Sequence, residues 1–335
     1  MDSGEVKELA TDTIINTEPE QNHFKQFDIS VDYSDHHYAK SNLSGCECFN
    51  NAGSNATKSI TREWKILQKN LPESIYVRVY EQRIDLLSAV IVGPAGTPYH
   101  DGLFFFDILF PISYPNDPPL VYYHSHGLRL NPNLHANGLV CLSLLNTWVG
   151  RKEEKWNPSE STILQVLLSL QALVLNQKPF YNEPGLQSLR ESDSRNYNNE
   201  VFVLSCKTMT YILRKPPKNF EGFVKEHFRG RASFILGACK AYMKGSALVG
   251  GYQEYSGSNS ETPSIYKKES KHFKSQMGNF HFALKGAFTK NAPLDLYLAA
   301  IELDRNFRIP DWIVYVITIG ACYLFFVLYD KYSRK

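Results

Sequence analysis

From about residue 61 the apolar positions of the chain recur with two different periods, and the switch between them marks out its elements. TREWKILQKNLP (61–72) places Trp64 and Leu67 three residues apart on one face and stops at Pro72, which predicts a short helix. Four runs rich in β-branched and aromatic residues follow: IYVRVYE at 75–81, LLSAVIV ending near 92, FFFDILF at 104–110 and LVYY at 120–123. Turn residues separate them and the connections are short, which predicts a four-stranded antiparallel meander. HSHGLRLNPNLHANGLVCLSLL then shows no clear period and reads as a long irregular segment. STILQVLLSLQALVLN (161–176) is apolar nearly all round and lacks glycine, as a buried helix does. Residues 197–216 read as a helix ended by Pro216 and Pro217, and 220–245 as a helical pair broken near Gly230. Strands followed by helices give an α+β class.

The flanks differ. Residues 1–58 are polar, lean acidic and lack a sustained apolar period, so they read as a disordered arm. A second reading keeps a short partner-binding motif around Phe24, Phe27, Tyr33 and Tyr38. The ordered unit is expected over 59–245, as a catalytic-sized domain with a helical C-terminal extension. Residues 246–308 follow as linker and helix, rich in Gly, Ser and Tyr to about 264 and with a last helical stretch at 294–307, and 309–335 close the chain.

That closing segment breaks the soluble pattern. Residues 312–329 (WIVYVITIGACYLFFVLY) carry no charge. As a helix they would be about 27 Å long, close to the hydrocarbon thickness of a bilayer. Trp312 and Tyr329 stand where interfacial aromatics belong, and Arg308, Asp311, Asp330, Lys331, Arg334 and Lys335 flank the run. With six residues after it, the segment reads as a single-pass transmembrane tail anchor that leaves everything before it in the cytosol. The endoplasmic reticulum is the favoured membrane, and the basic residues after Tyr329 keep the mitochondrial outer membrane open. A buried core helix is the alternative, disfavoured because such a helix rarely lacks a polar face throughout. Lys267, Lys268, Lys271 and Lys274, upstream, suit an anionic membrane surface or an ordinary linker.

Composition narrows the chemistry. Over 335 residues, 43% are hydrophobic and the formal net charge is +2, so nothing global points to nucleic acid. The six cysteines are mostly far apart, which argues against a disulfide framework and for reduced thiols in the cytosol. Cys46 and Cys48 have no further ligands at a zinc-binding spacing, and no metal is expected.

Three patterns occur in order between residues 93 and 185. GPAGTPYHDGLFFFDILFPISYPNDPP joins a Gly-Pro turn, a strand and a Tyr-Pro-x-x-Pro-Pro stop at Tyr114, Pro115, Pro118 and Pro119. NPNLHANGLVCLSLL places Asn133 eight residues before Cys141 with Gly138 between. Trp156 and Pro158 then precede the buried helix. Together these resemble the catalytic core of the ubiquitin-conjugating enzymes, over roughly residues 61–244. The Asn-Pro-Asn triplet, the insertion NTWVGRKEEKW and the run FYNEPG are most similar to the large hybrid conjugating enzyme/ligase type and its plant relatives.

The resemblance implies a short helix, a four-stranded meander, a long active-site segment and further helices, here with one C-terminal transmembrane helix. It implies a carrier and transferase: Cys141 takes ubiquitin as a thioester from a separate activating enzyme and passes it to substrate lysines at a membrane. ATP is used by the activating enzyme, so no cofactor is implied for this chain. The partners implied are ubiquitin, the activating enzyme, ubiquitin ligases, protein substrates and a membrane through residues 312–329. Asn133 is implied as an oxyanion donor or as a brace for the loop. Asn131 replaces the family's usual histidine, whose loop-holding role an amide can take by hydrogen bonding. The family's aspartate near the incoming lysine is not evident; Asn182 and Glu183 fall nearest, with Tyr181 beside them, and a plain turn is the competing reading.

The alternatives are a non-catalytic module of the same fold and a carrier of a ubiquitin-like modifier. His124, His126 and His135 invite a cysteine–histidine protease reading, but their spacing fits no nucleophile motif. Cys206, Cys239 and Cys322 read as inert buried residues, and Trp148 and Trp156 as packing residues rather than binding anchors.

Overall fold

The structure is a computed structural model and describes residues 24–40, 55–253 and 270–288. Helix α1 (Asn55–Asn70) is followed by β2 (Ile75–Tyr80), β3 (Leu86–Val92), β4 (Leu103–Leu109) and β5 (Leu120–Tyr123), preceded in the chain by β1 (Phe27–Ser30). Strands β2 to β5 form the expected antiparallel meander. The sheet nevertheless has five strands, in the order β1-β2-β3-β4-β5, and β1 runs parallel to β2. The expectation of four antiparallel strands is corrected, and the added strand comes from residues assigned to the N-terminal arm. A parallel pair needs a crossover, and α1 lies within it.

The two sheet faces are both covered, which is why β2–β4 read as nearly continuous apolar runs. Ile75, Val77 and Val79 alternate with Tyr76, Arg78 and Tyr80. The first set joins Ala89, Ile91, Phe104, Phe106 and Ile108 in the core shared with α1 and with α2 (Ile163–Ser169). On the opposite face Val90, Leu103 and Phe105 pack under α3 (Glu191–Arg214), α4 (Glu221–Lys244) and α5 (Lys271–Phe288). Helix α4 is continuous. The break expected at Gly230 does not occur, because nothing crowds that glycine and the helix runs through it. Helix α5 occupies sequence expected to be linker. The helix expected at 294–307 lies outside the described residues, as do Cys46, Cys48 and the apolar run at 312–329. Among the described residues no helix is long and apolar enough to cross a membrane.

The four aromatics set aside as a partner motif pack on the chain itself. The Phe24 ring lies 4.1 Å from the Arg78 guanidinium carbon and 5.3 Å from the Phe223 ring. Phe27 joins the main core, and Tyr33 and Tyr38 cover Tyr80, Leu86 and Leu109. A polar cluster fixes the next residues: the buried Asp107 carboxylate accepts from Ser88 Oγ at 2.6 Å, from the His37 backbone N–H at 2.8 Å and pairs with His124 Nε2 at 2.7 Å.

On the inner face, buried Glu63 of α1 accepts from the Tyr114 hydroxyl at 2.8 Å and from the Ile163 backbone N–H at 3.0 Å. One carboxyl thus ties α1 to the Pro-rich stop after β4 and to an orphan donor at the start of α2. Thr162 and Gln165 complete a capping box there. Helix α2 then widens into a π turn, Leu170–Val174. The expected single helix over 161–176 is therefore an α-helix with a π ending, a form that frees carbonyls for other partners.

Candidate active site

Residues 131–141, expected to be irregular, fold as a tight hairpin. Cys141 N–H donates to Asn133 O at 2.9 Å, His135 N–H to Leu139 O at 3.0 Å and Gly138 N–H to His135 O at 2.9 Å. Gly138 makes the turn possible. Its φ is +88°, and a Cβ there would overlap the Tyr122 ring. With Asn133 paired to Cys141 and His135 to Leu139, residues 133, 135, 139 and 141 share one face.

Asn131 is fully buried at the root of the hairpin. Its Nδ2 donates to Tyr99 Oη at 2.8 Å and to Val174 O at 2.7 Å, and its Oδ1 accepts the Asn133 N–H at 2.8 Å. Three segments meet on this one amide: the loop before β4, the hairpin and the π turn. Asn133 is buried too, and its Nδ2 donates to the Cys141 carbonyl at 2.9 Å. Asn133 Oδ1 accepts from no donor among the described residues.

Cys141 is buried, with 5% of the residue exposed. Burial pushes its thiol up to about 11; Arg129 opposes that shift and Glu183 adds to it. The sulfur lies 3.3 Å from His135 Nε2. The imidazole is held below its usual range by burial and by the Arg129 charge, so it is neutral at pH 7. A neutral thiol beside a neutral imidazole is not the ion pair of an activated cysteine protease.

The two residues expected near the incoming amine part company. Asn182 turns inward: its Nδ2 donates to Leu173 O at 3.2 Å and Val174 O at 3.3 Å, and its Oδ1 accepts from Asn176 at 2.7 Å. Glu183 is half-buried and close enough to act on Cys141, and burial holds its carboxyl above the usual range against the pull of Arg129. Arg129 carries no mark in the sequence. It follows an irregular HSHGL stretch, and only the fold brings its charge to Cys141, His135 and Glu183 together. The contact between His135 and Cys141 is legible only through the hairpin register.

Trp156 packs in the core and donates Nε1–H to Pro115 O at 2.6 Å, a packing role. His124 pairs with Asp107, and the His126 ring stacks on Tyr211 at 5.4 Å, so neither joins the cysteine. Cys206 and Cys239 are fully buried beneath α5. The charged insertion forms a 3-10 turn, Lys152–Glu154. With Leu142, Leu144 and Gln165 it borders a groove of about 690 Å³ beside the segment that follows Cys141.

Fold and site together define an α+β domain that offers one cysteine at the end of a hairpin braced by an Asn-Pro-Asn triplet. A family model described as ubiquitin-conjugating enzyme matches residues 59–205. The chain is 47% identical over 297 residues to the putative ubiquitin-conjugating enzyme E2 38 of Arabidopsis thaliana, covering 86% of each. It is 54% identical to the probable ubiquitin-conjugating enzyme E2 25 of the same plant, over 67% of this chain and 37% of that one. It is 40% identical to the human dual E2 ubiquitin-conjugating enzyme/E3 ubiquitin-protein ligase BIRC6, over 58% of this chain and 4% of that protein. The chain therefore spans most of the first relative and a minor part of the other two. It belongs to the ubiquitin-conjugating enzyme family.

Proposed function

We propose that this chain carries ubiquitin as a thioester on Cys141 and transfers it to substrate lysines. The observation that supports this most is the double pairing of Asn133 with Cys141, which sets the thiol on a rigid hairpin in a fold of that family. A thiol suits a carrier, because sulfur attacks well as thiolate and leaves well from the acyl group. One Nδ2 hydrogen of Asn133 is used by the Cys141 carbonyl; the other is the candidate donor for the oxyanion that forms when lysine attacks. Asn131 acts at a distance, by holding the hairpin to Tyr99 and the π turn. Glu183, rather than Asn182, is the group suited to steer an incoming ammonium and take part in its deprotonation. ATP is used by the activating enzyme and has no role on this chain.

The finer reading is action at a membrane. The uncharged run at 312–329 supports it, with the catalytic domain in the cytosol and the endoplasmic reticulum as the first membrane to examine. Tethering would confine transfer to substrates on the same surface by raising their local concentration. Alkaline extraction of membranes tests this directly, since release of the chain to the supernatant excludes insertion.

The depth of the thiol favours a second reading, a non-catalytic module of the same fold. Incubation with activating enzyme, ATP and ubiquitin separates the two: a carrier gains a thiol-sensitive adduct at Cys141 and a bare module gains none.

A further inference from the structure

Charging requires the Cys141 thiol to lose a proton, and among the described residues His135 Nε2 is the acceptor within hydrogen-bond reach of the sulfur. We propose that His135 is a catalytic residue that accepts the Cys141 proton as the sulfur attacks the donor thioester. The inference rests on the thioester reading above for its substrate, and on geometry for its chemistry.

The hairpin register brings the two side chains onto one face. Asn133 pairs with Cys141 and His135 pairs with Leu139, so His135 and Cys141 are diagonal neighbours on one face of a two-stranded ribbon. Gly138, which permits no Cβ against Tyr122, fixes that register. The result is Nε2 at 3.3 Å from Sγ. With its proton on Nδ1, the imidazole presents Nε2 as an acceptor for the S–H. The charged groups acting on this pair are Arg129, on both partners, and Glu183, on the thiol.

The site needs such an acceptor. A thiol pushed up to about 11 by burial is thiolate to roughly one part in ten thousand at pH 7. The imidazole, held below its usual range by burial and Arg129, is neutral and able to accept at that pH. It is too weak a base to strip the resting thiol. Transfer therefore accompanies bond formation, when the sulfur's acidity rises. The Sγ–C(O) bond forms, the C(O)–S bond to the activating enzyme breaks, and the proton moves from Sγ to Nε2 and on to the departing thiolate. No oxidant or metal enters the balance.

Alkylation of Cys141 by iodoacetamide tests the proton transfer without ubiquitin. The full chain and the variants His135→Gln and His135→Phe are followed from pH 5.5 to 9 by mass spectrometry of the Cys141 peptide, with thermal melts to establish folding. With His135 as acceptor, the wild-type rate is level around neutral pH and falls below the imidazole's pKa. Both variants are slower at pH 7 by about tenfold or more, and their rates climb about tenfold per pH unit toward the thiol's own pKa. A wild-type rate that already climbs tenfold per unit overturns the proposal, as does an equal loss at every pH with the level region kept. Single-turnover charging of the same proteins is the second arm. A level alkylation profile with no charging leaves the proton acceptor standing and removes the thioester reading instead.

Discussion

Asn133 and Cys141 are joined twice: the Cys141 N–H meets the Asn133 carbonyl at 2.9 Å, and the Asn133 side-chain amide meets the Cys141 carbonyl at 2.9 Å. The residue expected to stabilise the oxyanion is therefore also a strut of the Cys141 backbone. Replacing it separates the two duties. Asn133→Ala is expected to charge with ubiquitin and to discharge to free lysine about a hundredfold more slowly, the usual cost of one oxyanion donor. It is also expected to lose about 1 kcal/mol of stability with the lost hydrogen bond. Discharge at the wild-type rate, with the stability loss present, would reduce Asn133 to a brace.

Asn131 makes a different case, because its three shortest side-chain hydrogen bonds run to buried protein groups and a longer one, at 3.5 Å, comes from Asn182 Nδ2. Asn131→Ala leaves the buried Asn133 N–H without a partner, while Tyr99 Oη keeps its bond to Leu130 O and Val174 O keeps Asn182 Nδ2, and should cost about 2 kcal/mol in denaturant melts. Asn131→His offers one donor and one acceptor and should recover most of that loss together with charging. A histidine variant as unstable as the alanine one would show that the imidazole does not fit this pocket.

The Asp107 cluster should make stability depend on pH in a defined window. Burial raises the Asp107 pKa, but the hydrogen bond from His124 and the charges of His36 and His124 outweigh it and hold it at about 2. That contribution is present above the ordinary aspartate value near 4 and fades as pH falls toward 2. For His124, burial works downward, and the hydrogen bond and charge of Asp107 win and raise its pKa. Its contribution is complete below about 6.5 and fades as pH rises through the raised value. His36, depressed by burial, adds to the loss on the acid side. The stability gap between wild type and Asp107→Asn should thus be widest between about pH 4 and 6.5, at about 3 kcal/mol. A gap that does not change with pH would mean that the cluster works through packing alone.

Docking of residues 24–40 is testable through Phe24, whose ring covers the buried Arg78 guanidinium. Phe24→Ala should lower the melting temperature and hasten proteolysis between residues 24 and 40, while charging stays at the wild-type level. Proteolysis unchanged from wild type would place the stability of this segment in β1 and the Asp107 cluster instead.

The meander and the buried helix were legible because each leaves a local mark: short runs of β-branched and aromatic residues between turns in 75–123, and a run apolar nearly all round at 161–176, while NPN at a fixed distance singled out Cys141 as the candidate. β1 leaves almost none. FDIS is four residues long in polar surroundings, and its partner lies across a crossover some 50 residues on. Helix α5 was hidden by Gly278 and Gly286 among lysines, although Gly278 lies against Met243 of α4. Gly230 misled in the opposite sense, since a glycine with open space around it need not end a helix. At the site, Arg129 and the contact of His135 with Cys141 depend on hairpin register and on the packing of the loop after α2. Neither has a sequence period.

The most direct test is a non-reducing gel of the full chain after incubation with activating enzyme, ATP and ubiquitin. A shifted band that vanishes on reduction, is absent without ATP and becomes resistant to reduction in Cys141→Ser is the expected result. No adduct on the wild-type chain, or a reducible adduct that survives in Cys141→Ser, would contradict the assignment of Cys141 as the carrier.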